Sequence, residues 1–467
     1  MQSRRDQVQA YFFVVGRMIA AVTHGRPDAL VQPNRRTSTG IFLGILLAAI
    51  IAGVFGIYGL FVPGGNTSWR TPGAVIAASE TGARYLFLDG QLRPVLNYAS
   101  ARLAGGSPGA VVRVSTASLT GVPTGRPIGI PGAPDSVPAV GRLDTGAWTI
   151  CARPPERTGG QTPSVSLLVG RPEGRRLGDE QGLLVSSPDG VRHLLWQGRR
   201  HRVPDASTIQ VLGYGAVTPV PVTPSWLGTI PAGRDLGVPE TTGAGTPGPA
   251  IEGRPTLVGQ VFAVRNPALE SEQLYLLRID GVTPVSESAA ALVLADPGTA
   301  PAYPDGAPAP IPIGPGALTG VPVSRGEDLG TGLPARPPLA AVPPGDAVPC
   351  ARHTPGADEV RTTIEVRSRS EADAGAVPTA PREAGTLADL VSFPTGGGVL
   401  VRDQGAAAAG TFLVTDTGTR YPIADEEALG ALGYDGAPVT VLPSSLLDLL
   451  PTGPVLSTTA ARADAGA

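Results

Sequence analysis

Twenty-two consecutive residues, Ile41 to Val62, carry no charge (IFLGILLAAIIAGVFGIYGLFV), and no other feature restricts the fold of this chain as strongly. At 1.5 Å rise per residue, a helix of this length spans about 33 Å, enough for a hydrocarbon core of about 30 Å. The segment is apolar on every face, which argues against a surface helix of a soluble core. Residues 1–40 in front of it carry six arginines (Arg4, Arg5, Arg17, Arg26, Arg35, Arg36) against Asp6 and Asp28, a net +4 that leaves −7 for the remainder of a chain of net charge −3. Arg35 and Arg36 stand directly before the apolar run, and Arg70 alone stands close after it. Positive charge stays on the cytoplasmic side of a membrane. The expected topology therefore puts residues 1–40 in the cytoplasm, 41–62 across the membrane and the rest outside. A cleaved signal peptide fits poorly. The n-region is too long, and Pro63-Gly64-Gly65-Asn66 offers no small-x-small site. Tyr58 and Trp69 are expected near the outer interface, where aromatic rings settle.

The head has its own period. Val8, Tyr11, Phe12, Val15, Ile19 and Val22 recur at helical spacing, Ser3 is placed to cap the run, and Gly25 and Pro27 end it. The pattern predicts an amphipathic helix that lies on the inner leaflet or docks on a partner, or else packs on the anchor.

Beyond the anchor, one unit occurs four times. Each copy has an apolar run, a glycine-centred turn and a second short strand: RYLFLDGQLRPV, HLLWQGRRHRVP, YLLRIDGVTPV and FLVTDTGTRYPI, with turns at Gly90, Gly198, Gly281 and Gly418. Asp-Gly is a strong hairpin signal. A short helix follows each hairpin, with Asn97, Asp205, Ser286 and Asp425 at N-cap positions. Gly105, Gly213 and Gly433 are placed to stop three of these helices. A further strand comes next, and each unit closes on Leu-x-x-[Val/Ile/Leu]-Pro at Pro123, Pro231, Pro322 and Pro451. From turn glycine to closing leucine the spacings are 29, 29, 37 and 29 residues. The unit is β-β-α-β in outline and too small to bury its own core, so neighbours must stack.

The cysteines add a second level of repetition. Cys151 and Cys350 each open the string Cys-Ala-Arg, and each follows the closing leucine of an odd-numbered unit by 32 residues. Units one and two thus form one half and units three and four the other. In an oxidising compartment two related cysteines suggest a bridge across a pseudo-two-fold axis, the alternative being two free thiols. Such a bridge closes a loop of about 200 residues, for which the chain-entropy model gives an upper estimate of about 5 kcal/mol. With 63 Gly and 50 Pro, the chain is rich in breakers. Segments 231–256, 295–312, 331–357 and 368–396 read as linkers. The expected division is a cytoplasmic head (1–40), an anchor (41–62), a linker (63–70), a four-repeat region (71–455) and a flexible tail (456–467). The units lie near 73–126, 182–234, 257–323 and 397–454.

Signals of enzyme chemistry are weak. Gly105 to Gly109 matches G-x-S-x-G, but Pro108 follows the serine and has no N–H for an oxyanion hole. Gly243 to Gly248 matches G-x-G-x-x-G with no strand before it and a proline where a helix would start. The sequence contains no lysine, which removes the usual Walker A loop. His193 and His201 flank the second hairpin near Asp205, and His353 follows Cys350 in what reads as a Pro-rich linker. His193 and His201 could form a weak metal site but read instead as polar positions on a hairpin surface, and His353 lacks a usual zinc spacing. Glu426 and Glu427 fall in a helix first turn, where they complement the dipole. No catalytic, cofactor-binding or metal residue is assigned. The overall charge gives no nucleic-acid signature.

Four strings resemble the EccB family, a membrane component of the actinobacterial type VII (ESX) secretion machine: SRRDQVQAYFFVV (Ser3 to Val15), PGGNTSWR (Pro63 to Arg70), LNYASARL (Leu96 to Leu103) and GIPGAPDSVP (Gly129 to Pro138). Phe12 and Gly16 depart from it, since relatives often carry Arg there. The resemblance implies a structural subunit of an inner-membrane channel complex. It also implies partners: the FtsK/SpoIIIE-like ATPase EccC, EccD, EccE and the mycosin protease, with self-association of outer domains. The implied outer domain is a stretched, propeller-like array of four pseudo-symmetric repeats with a disulfide, of mixed α+β, β-rich class. The competing function is a membrane-anchored ectodomain that hydrolyses nucleotides or binds cell-envelope material.

Overall fold

A computed structural model describes residues 4–25, 34–61, 67–106, 109–155, 162–239, 241–326, 329–357, 359–379, 387–405 and 410–465. Ser3 and Pro27, expected to act as a cap and a helix stop, lie outside them, as does Ser107 of the G-x-S-x-G string. Residues 1–93 with 110–125 form one compact unit, and residues 94–109 with 126–467 form the other.

The first unit begins with helices Arg4–His24 and Asn34–Phe61. The second holds the apolar span Thr37–Gly59, of mean hydropathy 2.6, with none of it buried by protein. An unburied helix of this length and composition is what a bilayer can cover and water cannot. Arg35 and Arg36 fall in its first turn. The unit's sheet has Val75–Ala78 at its centre, flanked by Arg84–Leu88 and then Gln91–Pro94 on one side and by the parallel strand Val111–Val114 on the other. Trp69 is a core residue rather than an exposed aromatic. It is 1 % exposed, packs edge-to-face on Phe87 and plugs a core of Ile76, Leu92, Val114 and Leu119.

The second unit repeats this sheet three times. The orders are Arg199–Val203, Arg192–Trp196, Gln181–Ser186, Val220–Pro221; then Gly281–Val285, Ser271–Arg278, Val261–Asn266, Ile311–Ile313; then Arg420–Ile423, Thr411–Thr415, Gly398–Asp403, Thr440–Leu442. In each, one more strand precedes the expected hairpin, and the last strand runs parallel to it. The extra strand lies inside the expected unit limits but carries no turn signal of its own. The helix between hairpin and last strand is the crossover that any parallel pair needs. All four helices start at the expected caps. Asn97 accepts from the Ser100 N–H at 2.9 Å, Asp205 from Thr208 at 2.7 Å, Ser286 from Ala289 at 3.1 Å and Asp425 from Ala428 at 2.8 Å. Gly106, one residue beyond the expected Gly105, holds the left-handed position that ends the first.

The closing prolines have a common task. The carbonyls of Pro123, Pro231, Pro322 and Pro451 accept from the N–H groups of Leu92, Arg200, Val282 and Arg420, at 2.8 or 2.9 Å each. Each unit is thereby latched to its own hairpin. The third hairpin departs from expectation. Arg278 pairs with Gly281, so Ile279 and Asp280 form the turn and Gly281 opens the next strand. Gly281 has φ +139° because the Pro322 carbonyl passes close to it.

The four segments read as linkers, and the tail, contain regular elements among the described residues: 231–256 holds the strand Pro247–Ile251, and 295–312 holds the turn of helix Pro297–Ala302 and reaches the strand Ile311–Ile313. Residues 331–357 contain the strand Val348–Thr354, and 368–396 contain the helix Arg369–Asp373 and strands Val377–Pro378 and Leu390–Ser392. The tail forms the helix Thr458–Arg462, buries Ala461 and packs on Tyr98–Gly105, where the Arg462 Nε donates to the Ala104 carbonyl at 3.0 Å.

A Cβ at Gly281 would lie 2.1 Å from the Pro322 oxygen, whereas one at Gly82, also at positive φ, meets nothing within 4 Å. Thermal unfolding of the full chain in detergent is expected to show Gly82→Ala costing about 1–2 kcal/mol, the left-handed penalty alone. Gly281→Ala adds a backbone clash and is expected to cost at least ~3 kcal/mol. Equal losses would contradict the latch.

Candidate functional site: the central sheet and its cysteine pair

A seven-stranded sheet occupies the middle of the second unit, in the order Val377–Pro378, Leu390–Ser392, Ser164–Val169, Trp148–Arg153, Val348–Thr354, Arg361–Arg367, Arg175–Arg176. The two Cys-Ala-Arg strings lie on its antiparallel neighbours, with Cys151 directly opposite Cys350. Their sulfurs are bonded, their Cα atoms are 3.9 Å apart, and both residues are fully buried. Pairs 151–350, 150–351, 149–352 and 148–353 run outward from the bridge, so a pseudo-two-fold axis passes through it.

Each half of the chain crosses to the far side of this axis. After Ser164–Val169 the chain passes over the sheet and pairs Arg175–Arg176 with the other half's strand Arg361–Arg367. After Arg361–Arg367 it passes back and pairs Leu390–Ser392 with Ser164–Val169. Buried charge pins the first crossing. Glu365, fully buried, accepts the Gly174 N–H at 2.8 Å and pairs with Arg367 at 2.6 Å. Arg367 also donates to the Pro172 carbonyl, and Arg352 donates to Thr149 Oγ1 at 3.2 Å and to the Arg171 carbonyl at 3.1 Å. Removing one partner of such a group leaves a buried charge uncompensated, so these contacts fix geometry more than they add net stability. The second crossing is held by Arg153 against Asp373 at 2.8 Å and by Arg171 donating to the Ala374 carbonyl at 2.6 Å.

Two tyrosines lock the halves reciprocally. Tyr214, in the second repeat, donates to the Pro338 carbonyl at 2.5 Å, and Tyr434, in the fourth, donates to the Pro138 carbonyl at 2.8 Å. Burial raises both phenols well above their ordinary range, so both remain donors. The segments beyond these prolines extend the contact. Leu339–Ala340 pairs with Gln181–Gly182, and Leu143 bridges Gly398. The matching strings Leu-Gly-Tyr at 212–214 and 432–434 signal this pair in the sequence. Two strings that carry the family resemblance also meet. The Asn97 side chain donates to the Ile130 carbonyl at 2.8 Å, Ser100 Oγ accepts from Ile130 at 2.9 Å, and Asp135 accepts from the Tyr98 N–H at 3.0 Å.

Gly198 and Gly418 sit on turns that rest against the outer strands of the sheet. A Cβ at Gly198 would lie 2.0 Å from the Thr362 carbonyl oxygen, and one at Gly418 would lie 2.5 Å from Val391. Trp148 and Trp226 are core residues, and the Trp226 indole donates to the Ile150 carbonyl at 2.8 Å. Trp196 is half-buried.

His201 and His353 are buried rather than surface or linker residues. His201 is 1 % exposed with Nδ1 at 2.8 Å from the Arg234 carbonyl; burial lowers its pKa. His193 is half-buried and also lowered, first by burial and then by Arg200 and Arg202. His353 lies on the Cys350 strand, 1 % exposed, and burial pushes its pKa down to about 3. Among the described residues no three His, Cys, Asp or Glu side chains converge as a metal site. The G-x-G-x-x-G string is a turn followed by the strand Pro247–Ile251, not a helix N-terminus. A cavity of about 420 Å³ lies beside the Gly198 turn, lined by Arg176, Asp179, Gln197 and Arg361 among others. A groove of about 690 Å³ is lined by Pro154, Pro155, Pro219, Pro221 and Pro343 together with Thr218, Asp346 and Arg369 among others.

The comparisons with known proteins agree over the whole length. The family described as "Type VII secretion system ESX-1, transport TM domain B" matches residues 1–467. The ESX-3 secretion system ATPase EccB3 of Mycolicibacterium smegmatis is 31 % identical over 97 % of this chain and 89 % of its own length. The ESX-2 secretion system ATPase EccB2 of Mycobacterium tuberculosis is 29 % identical over 98 % and 94 %. Among solved structures, a chain of an intact ESX-5 inner membrane complex superposes with a TM-score of 0.71 at 26 % identity, covering 100 % of this chain and 96 % of that one. The EccB3 dimer from the ESX-3 core complex gives 0.70 at 28 %, covering 84 % and 100 %.

A histidine held neutral by burial destabilises the fold in acid. The folded pKa of His353, about 3, lies below its unfolded value, so stability is full above about pH 6.5 and falls as pH drops from there toward 3. At pH 5 the loss from this one group is about 2 kcal/mol. His353→Gln is expected to remove one proton's worth of slope from stability between pH 7 and pH 5, measured by thermal unfolding. An unchanged slope would show that His353 is not buried as neutral imidazole.

Proposed function

This chain belongs to the EccB family and is a structural membrane subunit of a type VII (ESX) secretion system; from that premise we propose that its outer region is an assembly platform and turns over no substrate. The observation that carries this reading is the interlocked centre. Both halves of the chain are completed by segments of the other and held by a buried disulfide, which suits a rigid part that bears load between partners.

The proposed orientation has residues 1–40 in the cytoplasm. It rests on Arg35 and Arg36 before the anchor and on a disulfide in the region after it, which suits an oxidising compartment. The proposed division into head, anchor, four-repeat region and tail follows the sequence limits, with the tail helix joined to the repeat region. The proposed neighbours are EccC and EccD at the membrane and inner face, EccE, and the mycosin protease outside. Self-association of outer regions is proposed because a relative is described as an EccB3 dimer.

Relatives carry the name ATPase. That favours, as a second reading, an ectodomain that hydrolyses nucleotides or binds envelope material. Against it stand the absence of lysine from the sequence and the turn-to-strand setting of the one glycine-rich string. A phosphate-binding loop uses a lysine and a helix N-terminus together.

Deleting the gene is expected to stop export by the system and to collapse its membrane assembly. Purified full chain with ATP and magnesium is expected to release phosphate at the rate of buffer alone. Unchanged export from an intact assembly without this chain would sink the platform reading, and saturable turnover would raise the alternative. The orientation has its own check. Leu339→Cys, at an exposed site, should react with a membrane-impermeant maleimide in intact spheroplasts, and Val8→Cys only after permeabilisation. The reverse pattern would invert the topology.

A further inference from the structure

The central sheet has two unlike faces. Trp148, Ile150, Ala152, Leu167, Ala351 and Ile364 point from it into the main hydrophobic core. The cysteines alternate with these residues and point the other way, in the company of Arg153, Ser166, Arg352, Glu365 and Arg367. A face this polar does not bury a disulfide by itself, yet Cys151 and Cys350 are both 0 % exposed. Cover comes from the segment that crosses back over this face. Its helix Arg369–Asp373 sets the buried Ala372 in one apolar cluster with Cys151, Cys350, Leu168 and Val348. The segment is strapped down at three points. Arg369 donates to the Pro154 carbonyl at 2.7 Å, Asp373 pairs with Arg153 at 2.8 Å, and the Ala374 carbonyl accepts from Arg171 at 2.6 Å. These holds join residues 203 to 220 positions apart, so the strap closes only after both halves of the chain are in place.

Thiol–disulfide exchange requires a sulfur of the reagent to reach one of the two sulfurs, and under the closed strap neither is reachable. Both cysteines precede the strap in the chain, so both thiols cross the membrane before it does. We infer that an extracytoplasmic dithiol oxidase installs the Cys151–Cys350 bridge while the strap at residues 368–376 is still open, and that the closed strap then shields the bridge from exchange. The inference rests on the orientation proposed above. One cysteine thiolate attacks the disulfide of the oxidase and forms a mixed disulfide. The second thiolate attacks the first cysteine's sulfur in that bond, completes the bridge and releases the oxidase as a dithiol. Two electrons pass to the oxidase, and the two protons lost by the cysteines balance the two gained by its thiols. The bridge thus belongs to the folding history of the chain, and the mature protein keeps it closed.

The test uses the full chain in membranes, with free thiols counted by the mass added by a maleimide. With tris(2-carboxyethyl)phosphine alone, wild type is expected to show none, and both only after unfolding in guanidinium. Equally fast reduction of the folded chain overturns the shield. The double variant Arg369→Ala, Asp373→Ala is expected to lose the bridge ~10-fold faster than wild type or more. Arg336→Ala, which breaks an exposed pair with Glu287 elsewhere, is expected to leave the rate unchanged. A strap variant no faster than Arg336→Ala shows that this segment is not the cover. The order of events is read on wild type, so it stays testable if the strap variant fails to fold. Made in minimal medium by a bacterial host without the periplasmic oxidase DsbA, the chain is expected to carry both thiols free. Glutathione disulfide added to those membranes is expected to bridge them ~10-fold more slowly than in guanidinium, or slower still. A complete bridge without the oxidase overturns the enzymatic step, and equally fast closure in the folded chain overturns the order. Leu339→Cys labelled only after permeabilisation overturns the orientation, and the oxidase with it, and leaves the shield standing.

Discussion

Cys151 facing Cys350 across two antiparallel strands is the contact on which the rest of the second unit depends. It sets the axis about which the two halves correspond. Once that register is fixed, each crossing segment has one place to go, which is the free side of the other half's hairpin. The Arg352 and Arg367 guanidinium groups then meet the carbonyls of 171–172, and Arg153 meets Asp373. Tyr214 and Tyr434 complete the exchange from opposite sides. Shift the register by one residue and each of these groups points to the wrong face.

The four repeats solve one packing problem with different covers. Equivalent positions on the strands are Ile76 and Phe87, Val185 and Leu195, Phe262 and Leu277, and Val401 and Val414. The second and fourth pairs are buried against the central sheet. The third is covered by a small hairpin, Pro247–Ile251 with Arg254–Leu257, through Ile251. The first is covered by Trp69, a few residues past the membrane helix. Trp69 thus ties the first repeat to the anchor over a chain stretch of eight residues, too short to let that repeat move far from the membrane.

Local chemistry was legible in the sequence wherever it is strictly local. Turn dipeptides, caps and helix-stop glycines depend on a few adjacent residues, and Asn97, Asp205, Ser286 and Asp425 act at their own sites. What escaped depends on distant partners. The strand Val348–Thr354 contains Pro349 and follows a Pro-rich run, so it reads as linker; pairing on both sides makes it central. His201 and His353 look polar by type, and only the fold says that they are buried. Trp69 looks like an interface aromatic because it follows an anchor, and the open face of the first sheet claims it instead. Gly281 looks like a turn glycine, but it answers to the Pro322 carbonyl.

A reciprocally latched repeat region joined to an apolar helix suits the proposed role of an EccB subunit in holding partners in place. The most direct test is gentle extraction from native membranes through a tag on this chain, followed by mass analysis of what comes with it. The account predicts one large assembly in stable proportion, containing an FtsK-like ATPase and a many-helix membrane protein. A lone monomer or dimer in every detergent tried would contradict it.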